Sequence, residues 1–216
     1  MRIRNVFCAL VFLLSTHLQA QQTIIKQFQT KQQYISINTE GLDEITILNT
    51  NNNTVEITLL DENAKQHLIY TDEAAHELII GFSLFFTEDN NSVFRKFITQ
   101  RLNRASVVIK LPKNKDISVF GSNIDVISKN YNGNLQVFID KGHVDLNSIQ
   151  QKATVKLFQG NVYGKISDGD ISIITTKGTI KVDDESFLKT YQKKQTNTTK
   201  NFELNSINAN VFITTQ

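Results

Sequence analysis

Five glycines, Gly133, Gly142, Gly160, Gly169 and Gly178, stand 9, 18, 9 and 9 residues apart, and this register constrains the fold more than any other feature of the chain. Two residues after each glycine phase comes an apolar side chain, giving Ile117, Val126, Leu135, Val144, Ala153, Val162, Ile171 and Ile180, each nine after the last. Two positions further on, Val119, Val137, Leu146, Val155, Ile173 and Val182 repeat the pattern, with Ser128 and Gly164 as the misses. Alternation of this kind places two or three side chains on one face of a short strand, and glycine provides the tight corner between strands. One unit cannot bury its own apolar face, so successive units must stack. The reading is an all-β chain holding a short parallel β-solenoid of nine-residue strand-turn units, about 18 residues per coil. One sheet then stacks Ile117, Leu135, Ala153 and Ile171 in a column, and the opposite sheet stacks Val126, Val144, Val162 and Ile180.

An antiparallel meander is the rival, because Asn132-Gly133 and Asp168-Gly169 are also hairpin dipeptides. The solenoid is preferred because glycine keeps its offset where the preceding residue is Lys141, Gln159 or Lys177. Two relatives of the period are excluded by position. A calcium-binding nonapeptide roll needs aspartate where this chain mostly has glycine. A hexapeptide helix needs aliphatics where Asn123 and Lys129 stand.

Before the repeats, strand-like runs fall at Thr23–Phe28, Tyr34–Asn38, Glu44–Leu48, Thr54–Leu60, His67–Tyr70, His76–Phe86 and Ala105–Leu111, without a clean period. Residues 21–112 are therefore read as an irregular β-rich N-terminal region capping the solenoid, and residues 113–216 as the solenoid itself. A polar excursion at about 183–205 interrupts the repeat and reads as a surface loop. Val211, 40 residues after Ile171, reads as the repeat resuming one coil later after an insertion of 22.

Residues 1–20 have the tripartite form of a secretory signal peptide: Arg2 and Arg4, an apolar run from Val6 to Ser15, and a polar stretch ending in Ala20. The apolar run is too short to cross a bilayer, and no later segment offers the roughly 20 apolar residues of a membrane span. Those two arginines account for the formal net charge of +2, leaving 21 basic against 21 acidic residues from Gln21 onward. That balance argues against nucleic acid as a partner. The single cysteine, Cys8, lies inside the signal and follows Asn5-Val6-Phe7 rather than the small residues of a lipoprotein site. An exported, periplasmic or extracellular protein without disulfides is implied.

The stretch from Ala105 to Asn114, Ala-Ser-Val-Val-Ile-Lys-Leu-Pro-Lys-Asn, followed by Asp116-Ile-Ser-Val and the glycine-punctuated strands, resembles the bacterial putative-adhesin family with β-strand repeats. The likeness covers half to two-thirds of the chain beyond the signal and carries no catalytic signature. It implies an exported parallel β-solenoid with an adhesin-like role.

On the outward positions of one expected sheet, Asp125, His143, Asn161 and Thr179 share a column, and Ile127, Asp145, Tyr163 and Lys181 share the next. His143, Asp145, Tyr163 and Lys181 are the candidate binding residues, suited to a sugar or an acid/base set; an ordinary solvated face is the plainer alternative. A second candidate is Ser92–Arg104, where Phe94, Phe97, Ile98 and Leu102 suit one helical face and four cations crowd the rest. It reads either as a capping element or as a site for phosphate-bearing envelope components. His67 and His76 read as isolated surface strand residues. No nucleophile motif, phosphate loop or metal-spaced cluster is present, so no cofactor or metal is implied.

The function inferred at this level is a non-catalytic structural or binding module of the cell envelope, with an envelope protein or glycan as partner. A carbohydrate-active enzyme using the His143 face, and an envelope assembly or stress accessory binding a protein, are the alternatives. Sequencing the N-terminus of the secreted or envelope fraction is expected to begin at Gln21; a retained Met1 in the cytoplasm would contradict export.

Overall fold

The computed structural model describes residues 22–61, 67–74, 76–84 and 105–215. The signal segment and the Ser92–Arg104 candidate lie outside the described residues. Within them the chain is all-β, with sixteen strands joined in one large mixed sheet that is folded over but not closed into a barrel. The strands follow from composition. Ile, Val and Thr alternate with polar residues, and the β-branched side chains pack on a pleated surface.

Strands β1 (Gln22–Gln29), β2 (Tyr34–Asn38), β3 (Glu44–Thr50), β4 (Thr54–Asp61), β5 (His67–Ala74), β6 (Glu77–Leu84) and β7 (Ala105–Pro112) match the seven runs read before the repeats. Next come β8 (Asp116–Asn123), β9 (Asp125–Ser128), β10 (Asn134–Leu146) and β11 (Lys152–Lys165). These pair in parallel at a constant separation of 18 residues: Ile117 beside Leu135 beside Ala153, and Val126 beside Val144 beside Val162. The first half of the chain joins the same columns, with Ile35 beside Ile117 and Ile45 beside Val126. All eight register residues from Ile117 to Ile180, in both columns, are buried in one core on the inner side of the folded sheet.

Strands β10 and β11 each serve both faces by bending at Gly142 and Gly160, which have φ of 146° and 152°. The bend also brings backbones together. A Cβ added to Gly142 would stand 1.9 Å from the Ile124 carbonyl oxygen, and one added to Gly160 the same distance from the Gly142 carbonyl oxygen. Gly178 lacks the positive φ and lies outside a strand, yet it meets the same kind of limit, 1.7 Å from the Ala209 carbonyl oxygen. The corner therefore selects glycine by steric approach as well as by backbone conformation.

Row order differs from chain order. After β12 (Asp170–Thr175) and β13 (Ile180–Val182), the chain makes β14 (Glu185–Phe187) and β15 (Thr190–Lys193) before the long last strand, β16 (Asn201–Thr214). Strand β16 slots between β11 and the β12/β13 row, parallel to both. Two expectations are corrected by this. Ala153 does not neighbour Ile171, because Phe202 stands between them, and Val211 lies in the column of Val162 and Ile180 rather than that of Ile171. The physical reason is visible in the side chains. Ala153 is the small member of an aliphatic column, and the fully buried Phe202 fills the space beside it. The expected surface loop is corrected in part: within 183–205, β14 and β15 pair antiparallel with β13 and β12 and β16 has already begun at Asn201, while residues 194–200 form no strand.

The other end mirrors this arrangement. Strands β2 and β3 lie between the β6/β7 row and the β8/β9 row, although β6 and β7 follow them in sequence. Beyond the parallel rows, β5 pairs antiparallel with β6, β4 with β7 and β1 with β4. Antiparallel strands thus terminate the parallel stack at both ends, covering the open backbone that would otherwise template aggregation.

Replacing Leu157 or Val137 by alanine is expected to cost about 2 to 4 kcal/mol in urea melts, because both side chains are buried. The outward Gln136→Ala should stay within about 0.5 kcal/mol. Gly160→Val should cost about 1 to 2 kcal/mol or more. Equal effects at inward and outward positions would refute the alternation.

Candidate functional site

Three of the four residues in the first expected column face outward in adjacent rows, but β16 adds a member that sequence counting could not supply. Asn210 stands between Asn161 and Thr179. The side chains form a ladder in which every donor points the same way. Thr179 Oγ1 donates to Asn210 Oδ1 at 2.9 Å, Asn210 Nδ2 donates to Asn161 Oδ1 at 3.2 Å, and Asn161 Nδ2 donates to His143 Nε2 at 3.2 Å. An amide donating to Nε2 requires that nitrogen to accept, so the ring carries its proton on Nδ1, which faces Asp125 Oδ1 at 3.4 Å. Asp125 Oδ1 also accepts the His143 backbone N–H at 2.7 Å.

In the neighbouring column Asp145 lies beside both Ile127 and Tyr163, as expected. Tyr163, however, is separated from Lys181 by Phe212 of β16, and the Tyr163 and Phe212 rings stack at 5.0 Å with an 11° interplanar angle. With the Asn147 amide turned to satisfy both groups, its nitrogen donates to Asp145 Oδ1 at 2.9 Å. His143, Asp145 and Tyr163 therefore share one patch, with Lys181 one row beyond it. The patch is open: the His143 and Asp125 side chains are 60% and 48% exposed. Phe212 and Asn210 were missed because their row follows an excursion whose length carries no periodicity.

His67 is corrected from surface residue to buried group, while His76 is exposed as expected. His67 Nδ1 lies 2.7 Å from Asp61 Oδ2 and Nε2 lies 2.7 Å from the Gly41 carbonyl oxygen, with the His67 and Asp61 side chains 0% and 1% exposed. Both ring nitrogens face oxygens, so the pair ties the end of β4 and the start of β5 to the corner between β2 and β3. Elsewhere, burial pushes the Tyr131 hydroxyl well above the usual phenol range, and its oxygen lies 3.0 Å from the Pro112 carbonyl oxygen. Among the described residues no group of three or more His, Cys, Asp or Glu is placed to hold a metal ion.

No protein-family model matches the chain, and no curated protein matches it. Among solved structures it is similar to a putative cell adhesion protein from Clostridium sporogenes, with a TM-score of 0.58, 14% identity, and coverage of 91% of this chain and 100% of that one. A putative adhesin from Bacteroides fragilis matches at TM-score 0.32 and 11% identity over 90% of this chain and 98% of that one. A putative adhesin from Parabacteroides merdae matches at TM-score 0.26 and 9% identity over 90% and 97%. The first of these likenesses shows a shared fold.

His67→Ala is expected to destabilise the protein by about 2 kcal/mol or more, since it removes a buried ring and its contacts to Asp61 and to the Gly41 carbonyl oxygen. His76→Ala should be silent, so a urea melt that moves equally for both would contradict the buried pair.

Proposed function

We propose that the chain is a non-catalytic, exported, adhesin-like binding module of the bacterial cell envelope, built as a short parallel β-solenoid whose outer faces make the contacts. The observation that carries this reading is the hydrogen-bond ladder from Thr179 to Asp125. Catalysis by His143 would need a site that excludes water. Here the His143 ring is fixed between Asn161 and Asp125 on an open face, with its side chain 60% exposed to solvent. A face of fixed donors and acceptors beside a surface aromatic stack suits binding instead, with Tyr163 offering a ring edge and Asp145 and Lys181 offering charge. The name of the Clostridium sporogenes protein and the signal-like first twenty residues agree with an exported adhesin-like role.

The test is retention and turnover of purified envelope glycans on immobilised protein. Wild type should retain material without releasing new reducing ends, and the His143→Ala/Tyr163→Ala double variant should retain less of what binds that face. Reducing-end release that disappears in His143→Ala would establish an enzyme and overturn the reading. So would failure of wild type to retain any envelope glycan or purified envelope protein.

A further inference from the structure

The face opposite the His143 ladder carries its own outward column, in which Asn38, Phe120, Phe138, Lys156, Asn205 and Ile174 stand in successive rows. Phe120 and Phe138 stack at 5.3 Å with an 11° interplanar angle, and the Lys156 ammonium lies 5.6 Å from the Phe138 ring centre. Just before the glycine corner the pairing skips one residue per strand. Ile139, Leu157 and Ser206 are in register, then Lys141, Gln159 and Asn208, so Asp140, Phe158 and Ile207 are left out of the ladder. All three are exposed, Phe158 at 53%, and they form a ridge parallel to the column.

Between column and ridge runs a groove of about 500 Å³, floored by Leu157 and Ser206. It continues past Phe138 into a depression of about 750 Å³ along Asn38 and Phe120, with Glu40 and Glu77 among its lining residues. Its walls are mixed in a particular way. Phe158, Ile207 and the edge of Phe138 are apolar, whereas Asp140 can accept, Lys156 can donate and Asn205 can do both. Among the described residues neither the Asp140 carboxylate nor the Asn205 amide is tied down by a hydrogen bond.

We propose that this groove binds a neutral, hydroxyl-rich glycan laid along the stacking direction; the proposal rests on the binding-module reading but uses a different face. A pyranose ring has apolar C–H faces and a polar rim of hydroxyls, which is the complement of walls that alternate aromatic, carboxylate, ammonium and amide. Rows repeat every ~4.8 Å, so a linear polymer meets a new side chain at each step. Charge selects against a polyanion. Asp140 and Lys156 offset one another, and the carboxylates of Glu40 and Glu77 add negative charge where the groove continues. A peptide is disfavoured because the strands under the groove are paired on both sides and offer no free backbone edge.

Isothermal titration with neutral β-linked gluco- and manno-hexaoses, and with a uronic-acid hexamer as the charged comparison, tests the site. The neutral hexaoses are expected to bind wild type, and Phe158→Ala to weaken binding about tenfold or more. Phe158→Tyr should restore it, and the His143→Ala/Tyr163→Ala variant should bind as wild type does. Phe158 is half exposed, so its variants should keep the wild-type melting temperature. Stronger binding of the uronic hexamer overturns the proposal, as does neutral-hexaose binding that ignores Phe158→Ala; a loss confined to the His143 variant does so too, while leaving the binding-module reading standing. Absence of neutral-hexaose binding, with envelope glycans still retained by wild type, likewise rejects this ligand and not the module.

Discussion

Close parallel pairing of neighbouring backbones is the constraint on which the rest of the structure depends. Rows lie ~4.8 Å apart, so whatever one row presents, the next must match in kind and size. At the bend the tolerance vanishes, because any Cβ on Gly142 or Gly160 would enter the carbonyl of the row beneath. Inside, the same constraint makes columns of aliphatic residues. Outside, it makes ladders: Thr179 through Asp125 by hydrogen bonds, Phe120 on Phe138 and Tyr163 on Phe212 by ring stacking. The candidate surfaces are by-products of the repeat that builds the core.

Insertion of β16 gives the stack an end. A chain that simply kept coiling would expose its last row, but here the last strand is paired on both sides and the row it displaces outward is capped by β14 and β15. A buried polar seam helps fix the insertion. Ser206 Oγ donates to Thr175 Oγ1 at 2.9 Å, and Thr175 Oγ1 donates to the Ala209 carbonyl oxygen at 3.2 Å, with both hydroxyls removed from solvent. A slip of β16 by one residue would turn Phe202, Leu204 and Val211 outward and strand these hydroxyls against aliphatics. Register and row order are thus fixed by the same contacts.

Much of this was legible in the residues. The buried columns from Ile117 to Ile180, the bends at Gly142 and Gly160, and seven early strands could be read from alternation and glycine spacing, because these are local consequences of sequence. Row order could not, since periodicity counts along the chain and is blind to a strand that returns to an earlier gap. Ala153 was the one available hint, a small residue in a column of larger ones. Of the candidate site, the neighbours of His143 within β9 to β11 were legible, while Asn210 and Phe212 lay beyond the excursion. His67 was misread for a related reason: its partner Asp61 and its acceptor at Gly41 are joined to it by the fold, and nothing in their spacing announces the pair. The skipped residues Asp140, Phe158 and Ile207 were hidden inside an apparently regular repeat.

The central claim is that β16 is a row inserted between β11 and β12, and engineered disulfides test it directly. From Gln21 onward the chain has no cysteine, so introduced pairs report on geometry alone. Thr154 and Ser172 each pair with Glu203, on the outward face. Adjacent rows at ~4.8 Å suit a disulfide, whereas a separation of two rows, about 10 Å, does not. Mild oxidation should therefore close T154C/E203C and S172C/E203C and leave T154C/S172C as free thiols. Ready closure of T154C/S172C, with T154C/E203C remaining open, would show that β12 follows β11 directly and that the inserted row does not exist.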